Sequence, residues 1–410
     1  MNILYLNHYA GSPSLGMEYR PYYLAREWVR AGHRVQIVAG NFSHVRSHQP
    51  QAGDETIDGI AYRWLPLPRY QGNGFGRAWN IARFLQQLWQ QTARLVAEFK
   101  PDVVIASSTY PMDIWVARRI ARRARALLVF EVHDLWPLSP IELSGMSPGH
   151  PFIRMCHAAE STAYARADRV VSMLPKVQDY MASRGLDLSK LHIVPNGITL
   201  DEWQGDGQPL REDVAAAIAR QRQTGRVVVG YAGSMGRPNA LDVLLDAAAQ
   251  LRDEPAAQQF AIVMVGDGLE RERLVQRVAS LGLQDRMLWL PPIAKAQVPA
   301  FLAQLDIAYI GWQRVPIYRF GIAPNKLMDY LMARCVVLHS VDAGNDPVAE
   351  SGCGLTVPPE SSADVAAGLR ALAALPAAER RAMGERGREF VLANHTYPVL
   401  AQRFIQAMQA

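Results

Sequence analysis

Residues 101–134 read PDVVIASSTYPMDIWVARRIARRARALLVFEVHD. Val103–Ser107 and Leu127–Val132 are short runs rich in aliphatic residues, as expected of strands buried in a sheet. Asp113–Ala126, between them, is amphipathic at helical spacing. A strand, a helix and a second strand in this order form a right-handed βαβ unit, whose strands are parallel.

The same alternation extends on both sides. Ile3–Leu6, Val35–Ala39, Val170–Met173 and His192–Pro195 read as further strands. Glu18–Ala31, Arg77–Phe99 and Ile153–Arg166 read as helices packed on them. Around Thr199–Arg226 the pattern gives way to a polar stretch with Gly205, Gly207 and Pro209. It resumes through Val227–Tyr231, Ala261–Val265, Met287–Leu290, Ile307–Ile310, Val336–Val341 and Leu355–Val357. A chain of 410 residues exceeds a single ordinary core. The expected fold class is therefore α/β, with two Rossmann-like doubly wound domains facing a central cleft. Residues 1–200 form the first domain and 201–394 the second, with 395–410 as a C-terminal helix packing back on the first. Ligands of such sheets bind beyond the carboxyl ends of the strands, so both halves are expected to offer loops to the cleft.

Composition excludes several classes. With 49% hydrophobic and 20% charged residues the chain is ordinary globular material and not a disordered one. Cys156, Cys335 and Cys353 are odd in number and lack metal-ligand spacing, which argues against a disulfide framework and for a reducing compartment. The opening MNILYLNHYA has neither the basic region nor the apolar length of a signal peptide, and no apolar run reaches a membrane span. The expected location is the cytoplasm. Residues 1–200 carry 22 Lys and Arg against 15 Asp and Glu, a net +7, whereas residues 201–410 carry 21 against 23, a net −2. A basic first half fits an anionic ligand or surface, or equally a solvated face without a partner.

The turn after the first strand, NHYAGSPSLGMEYRP (Asn7–Pro21), places Gly11 and Gly16 ahead of a helix. Glycines there let backbone N–H groups approach an anion, although an ordinary βα turn has the same composition. No Asp-x-Asp motif and no His/Cys ligand spacing point to a metal.

Gly16, Glu18, Ala25, Gly32 and His33, then FEVHDLWP (Phe130–Pro137), Glu160 with Ala167-Asp168, and VPNGI (Val194–Ile198) follow one another in a fixed order. YAGS (Tyr231–Ser234), VGDG (Val265–Gly268) and PNKLMDYL (Pro324–Leu331) complete the series. This ordered set resembles the retaining family-four glycosyltransferases of the GT-B fold, of the type that builds bacterial surface polysaccharides, over nearly the whole chain. The resemblance implies that His133 contacts the donor sugar and helps to stabilise charge at the anomeric carbon, with Asp134 as its structural partner. It implies that Gly16, Gly233, Ser234, Arg237, Ile293, Ile322, Ala323, Asn325, Lys326 and Asp329 bind a nucleotide-sugar donor. Lys326 would meet phosphate from the first turn of a helix, and Asp329 the ribose hydroxyls. Backbone N–H groups of Ile322 and Ala323 would meet sugar hydroxyls, and backbone groups at Pro292-Ile293 the base. Glu350 reads as a carboxylate at a helix end.

The chain also departs from the family pattern. Ser234 and Asn239-Ala240 stand where an Arg and a Lys-Gly pair usually hold the diphosphate, and Arg237 lies between them. Gly321 replaces the first of two carboxylates spaced eight apart. The implied activity is retaining, metal-independent transfer from a nucleoside diphosphate sugar, by default a UDP-sugar, to a glycan or lipid-linked acceptor. No cofactor beyond the donor substrate and no nucleic acid is expected. A GT-B epimerase and a non-catalytic nucleotide-sugar-binding subunit are the competing readings. Trp79, Ile81, Phe84, Leu85, Leu88 and Trp89 lie among Arg77, Arg83 and Arg94, and Arg118, Arg119, Arg122, Arg123 and Arg125 cluster nearby. These stretches fit peripheral contact with the anionic inner face of the cytoplasmic membrane, or helices packed on a sheet.

Overall fold

A computed structural model describes residues 1–16, 19–44, 46–72, 74–203, 208–252 and 260–410. It divides into two compact units, Met1–Asn196 with Tyr397–Ala410, and Gly197–Thr396.

The first unit carries β1 (Asn2–Leu6), β2 (Arg34–Gly40), β3 (Gly53–Ile57), β4 (Ile60–Leu65), β5 (Val103–Ala106), β6 (Leu127–Val132), β7 (Arg169–Ser172) and β8 (Leu191–Ile193). They form one sheet in the order β3-β4-β2-β1-β5-β6-β7-β8. All neighbours are parallel except β3, which runs antiparallel to β4. The aliphatic runs become strands because both faces are covered: Ile3, Leu4, Tyr5 and Leu6 are fully buried. Strand order reverses between β1 and β5, so the loops after these strands diverge there and leave a crevice for side chains.

The β3–β4 hairpin is absent from the sequence reading. β3, GDETI, is polar and exposed on both faces, so it shows no hydrophobic period. Its signal is instead the Asp58-Gly59 turn, where both residues take positive φ (50° and 80°), as a type I′ hairpin requires.

Helix Tyr19–Arg30 sets Trp28 into the core, and helix Tyr397–Gln409 supplies Leu400, Phe404 and Met408 to the same cluster. The Trp28 indole donates to the Ala401 carbonyl at 3.2 Å, and its ring meets Phe404 edge-on at 5.2 Å. The last helix is thus part of the first unit's core although it follows the second unit in sequence.

The second unit carries β9 (Val227–Ala232), β10 (Phe260–Val265), β11 (Met287–Leu290), β12 (Ile307–Gly311), β13 (Val336–Ser340) and β14 (Gly354–Val357). All are parallel, in the order β11-β10-β9-β12-β13-β14. Here the order reverses between β9 and β12. The chain is α/β with two Rossmann-like sheets, as the alternation in sequence indicates.

Phe404→Ala should lower the unfolding free energy of the first unit by about 3–5 kcal/mol, the range for a fully buried aromatic. Denaturant unfolding followed by tryptophan fluorescence measures this, and a loss below about 1 kcal/mol would remove the last helix from the core.

Candidate active site

In the second unit the reversal point opens into a cavity of about 640 Å³. Gly233, Ser234, Ile293, Asn325, Lys326 and Asp329, all singled out from sequence, line it together with Lys295 and Trp312. Two glycines make room for it. Gly233 donates to the Val265 carbonyl at 3.0 Å, and its own carbonyl oxygen lies 2.0 Å from where a Cβ on Gly266 would stand. Gly266 also holds φ +132°, so the paired turns after β9 and β10 require glycine there.

Lys326 sits in the first turn of helix Asn325–Met332. Its ammonium donates to the Tyr231 hydroxyl at 2.9 Å and to the Asn239 side-chain oxygen, and lies 4.7 Å from the Tyr231 ring centroid. These partners are neutral, so burial prevails and lowers the Lys326 pKa to about 8. Asn239, at a position where the family pattern has a phosphate-binding Lys, serves here to hold Lys326.

Asp329 receives the Lys295 ammonium on both carboxylate oxygens at 2.9 Å, and Glu202 stands 3.5 Å from the same Lys295 nitrogen. Burial pushes the Asp329 carboxyl above its usual value, and the Lys295 charge opposes that shift. Lys295 and Glu202 escaped sequence reasoning because they join Asp329 from distant segments.

Four expected donor contacts fall elsewhere. Arg237 lines a separate cavity of about 490 Å³ beside Asp242, Glu270 and Arg273, because the Arg237–Asn239 turn carries it away from Lys326. The Ile322 amide donates to the Asn345 side chain at 2.7 Å, and Asn345 returns a bond to the Ile322 carbonyl at 3.1 Å. The amide expected to meet a sugar hydroxyl is therefore already engaged, and Asn345 fixes the loop after Gly321. Ala323 follows on this pinned loop, outside the residues lining the larger cavity. The Gly16 amide donates to the Ser12 carbonyl at 3.0 Å, closing the turn on itself and not towards an anion. Glu18 lies outside the described residues. Glu350 accepts the Asp346 amide at 3.2 Å within the cap of helix Pro347–Ser351.

In the first unit His133 follows β6 directly. Its Nε2 lies 2.9 Å from the Ser107 hydroxyl and 3.4 Å from Glu131 Oε2. Glu131 is fully buried and accepts from the Tyr5 hydroxyl at 2.5 Å, the Ser107 hydroxyl at 2.7 Å and Arg20 Nε at 2.9 Å. Burial alone would raise its pKa; the Arg20 and His133 charges and these hydrogen bonds hold it well below the usual carboxylate range. Sequence reading paired His133 with Asp134, the neighbour in the chain. The structure supplies Glu131 and Ser107 to the ring, while burial raises the Asp134 pKa and the His133 charge opposes that. Glu131 could have been found: it stands two positions before His133, the spacing at which an extended chain returns to the same face.

Among the described residues no group of three or more His, Cys, Asp or Glu side chains is placed to hold a metal ion. No described helix is long and apolar enough to cross a membrane.

Comparison with known proteins accords with this geometry. Residues 16–197 match the glycosyl transferase 4-like domain, and residues 226–374 match the glycosyl transferases group 1 domain. A glycosyltransferase domain is thus matched in each unit, and the two Rossmann-like sheets are those of the GT-B fold. It is 29% identical over 283 residues to a D-inositol 3-phosphate glycosyltransferase of Salinispora tropica, spanning 67% of this chain and 56% of that one. It is 26% identical over 249 residues to a 2-deoxystreptamine N-acetyl-D-glucosaminyltransferase of Streptomyces fradiae, covering 59% and 56% of the two chains. The chain therefore spans little more than half the length of these curated relatives. The Anabaena Alr3699/HepE structure in complex with UDP superposes over the full length of both chains with a TM-score of 0.68 at 16% identity, a likeness of fold.

Asp113 begins the helix after β5 and accepts the Ser108 amide at 2.9 Å. Burial raises its pKa to about 7, opposed by hydrogen bonds from Ser108 and Ser107 and by the His133 charge. Because the folded pKa lies above the unfolded 3.8, the contribution to stability is complete below that value and is lost as pH rises towards 7. Asp113→Asn should therefore gain stability relative to the wild type between about pH 4 and pH 7. Parallel pH dependences of the two unfolding midpoints would refute the assignment.

Proposed function

We propose that this chain transfers a hexosyl group from a nucleoside diphosphate sugar to an acceptor hydroxyl with retention at the anomeric carbon. The cavity at the β9–β12 reversal, with Lys326 inside it and held only by neutral groups, carries this reading. It has the concavity of a ligand site, and the Lys326 ammonium within it is bonded by a phenol and an amide. Support comes from the two glycosyltransferase domains and from relatives whose names are those of glycosyltransferases. A UDP-sugar is the default donor, and the UDP bound in the Anabaena neighbour supports that choice.

In this reading Lys326 meets the diphosphate, Gly233, Ser234 and Asn325 line its path, Ile293 packs the base, and Asp329 faces the ribose. The acceptor oxygen bonds to the anomeric carbon as the bond to the phosphate oxygen breaks. The acceptor proton passes to the leaving phosphate, so no protein carboxylate need serve as nucleophile. Lys326 offsets charge growing on that phosphate, and His133 acts at the sugar. The absence of a carboxylate at Gly321, with Asp329 tied to Lys295, weighs against the epimerase reading, which needs acid and base groups.

The proposed acceptor is a lipid-linked glycan of surface-polysaccharide assembly, met at the membrane from the cytoplasmic side. On helix Phe75–Phe99 Ile81, Phe84 and Leu88 face the core, whereas Phe75, Trp79 and Trp89 are exposed. The Arg119 guanidinium stacks 4.1 Å from the Trp89 ring, and Arg122, Arg123 and Arg125 are exposed beyond it. Aromatic and basic side chains on one surface suit an anionic lipid interface. The relatives' names favour a second acceptor class, small polyols such as inositol phosphates and aminocyclitols.

Mixing the protein with UDP-, GDP- and dTDP-sugars, with and without acceptor, and measuring nucleotide release tests the activity. Acceptor-dependent release is expected from one donor; release from none would leave the non-catalytic binding reading. Affinity for UDP should be level below about pH 8 and weaken above it, approaching tenfold per pH unit, since binding must then reprotonate Lys326. Lys326→Ala should weaken UDP binding strongly at pH 7, and calorimetry showing no change would take Lys326 out of the site.

Binding to phosphatidylglycerol vesicles at low salt should fall with rising salt and on replacing Arg119, Arg122 and Arg123 together by Gln. Equal recovery in the supernatant with and without vesicles would favour the polyol acceptors.

A further inference from the structure

We propose that Glu131 and Ser107 are positioning residues that fix the proton of His133 on Nε2, leaving Nδ1 as its titrating nitrogen. The proposal rests on the reading of His133 as a group that acts in sugar transfer, and its hydrogen-bond logic stands apart from that reading.

A serine hydroxyl has one proton to give and two lone pairs to receive with. Ser107 lies 2.7 Å from Glu131 Oε2, 2.9 Å from His133 Nε2 and 3.2 Å from the Asn7 side-chain nitrogen. Glu131, ionised beside Arg20, only accepts, so the Ser107 proton goes to it. The Asn7 amide nitrogen only donates. The remaining lone pair of Ser107 can then be met by His133 only if Nε2 bears a hydrogen. A His133 proton on Nδ1 alone would leave two acceptors, Nε2 and Ser107 Oγ, facing each other at 2.9 Å.

The charges around the ring point the same way. Glu131 on β6 lies 3.4 Å from Nε2, and Asp113 and Asp134 also interact electrostatically with His133. The cation on this cluster, Arg20 of helix Tyr19–Arg30, binds Glu131 through the other carboxylate oxygen and donates from its two terminal nitrogens to the Val194 and Pro195 carbonyls. Tyr5, from β1, donates to the same carboxylate as Ser107. A single proton, on Nδ1, then separates the two working states of His133. With it the ring donates to an oxyanion at that nitrogen, and without it the ring accepts there.

Glu131→Gln reverses the polarity of this chain, because its amide can donate to Ser107 and release the Ser107 proton to His133 Nε2. Ring nitrogen shifts measured by NMR on histidine-labelled protein, assigned by the loss of one signal in His133→Gln, read this directly. The wild type should show a protonated Nε2 across its titration. Glu131→Gln should move the proton to Nδ1 and lower the midpoint by about one pH unit or more, as expected for loss of a carboxylate at this range. An unchanged tautomer and midpoint in folded Glu131→Gln, or a wild-type ring protonated on Nδ1 alone at high pH, would overturn the proposal. Because Arg20 is left without its carboxylate in that variant, Ser107→Ala gives a second arm. The Nε2–H proton, slow to exchange in the wild type, should exchange faster and move upfield, and an unaltered signal there would also refute the relay.

In transfer assays Glu131→Gln should lower kcat at least about tenfold with little change in the donor KM, and should shift the pH profile with the NMR midpoint. Glu131→Asp should restore part of the rate. A wild type that transfers no sugar would sink the glycosyltransferase reading while the ring-nitrogen result still decides the tautomer.

Discussion

Arg20 and Glu131 form an ion pair whose side chains are 4% and 0% exposed. Charges removed this far from water are tolerated only when their bonding capacity is filled, and the first unit supplies what is needed from five places. Tyr5 comes from β1, Ser107 from the end of β5, Glu131 from β6, Arg20 from the first helix, and the Val194 and Pro195 carbonyls from the segment after β8. Such a pair need not stabilise the fold more than apolar residues of equal volume would. Its effect is on uniqueness: any other register of these strands leaves a buried charge without a partner, at a cost of about 3–5 kcal/mol. His133 is attached to this frame through Ser107, so the rigidity of the charge pair passes to the one ring placed at the strand's end.

The second unit handles charge in the opposite way. Its cavity is shaped by backbone, since the Gly233 carbonyl and Gly266 approach more closely than any side chain permits. The ammonium inside it is held by a phenol and an amide, and burial lowers its pKa to about 8. An anion entering the cavity would remove that penalty, so binding energy and protonation of Lys326 are coupled. The substitution of Asn239 for a lysine then has a physical sense. A second ammonium at that position would oppose the first, whereas an amide oxygen receives it. Arg237 lines a different cavity, in which Asp242 and Glu270 are both bonded by Arg273.

Much of this architecture was legible in sequence. Aliphatic runs separated by amphipathic helices gave both sheets, because a parallel strand covered on both faces leaves a continuous apolar record. The edge strand β3 was missed because an exposed strand leaves none, and the buried β4 was passed over although Asp58-Gly59 marks the turn before it. In the site, the residues lining the second unit's cavity were recognisable from local motifs. Lys295, Glu202 and Asn345 were not, since each acts on a partner at least 23 positions away and none sits in a motif. Ile322 and Gly16 were read from loops that resemble the family's, and a loop motif shows where an amide is and not what it already bonds.

The basic first half requires the same care. Residues 1–200 carry an excess of seven positive charges, which the internal ion pairs leave unchanged because each paired arginine brings its own carboxylate. Arg20 is matched by Glu131, Arg63 by Asp54 and Glu98, and Arg184 by Glu160. These pairs tie helices and strands of the first unit together. Arg122, Arg123 and Arg125 are exposed close together on helix Asp113–Ala124 and just beyond it, while Arg34, Arg69, Lys100, Arg154, Arg166 and Lys176 are exposed elsewhere. Arg119, on the same helix, lies over Trp89 of the neighbouring helix. The Arg119–Trp89 contact is itself a cation–π pair that ties the two helices together. Hydrated charge beside partly exposed aromatic surface also suits an interface between water and lipid headgroups, and the proposal of a lipid-linked acceptor rests on that property.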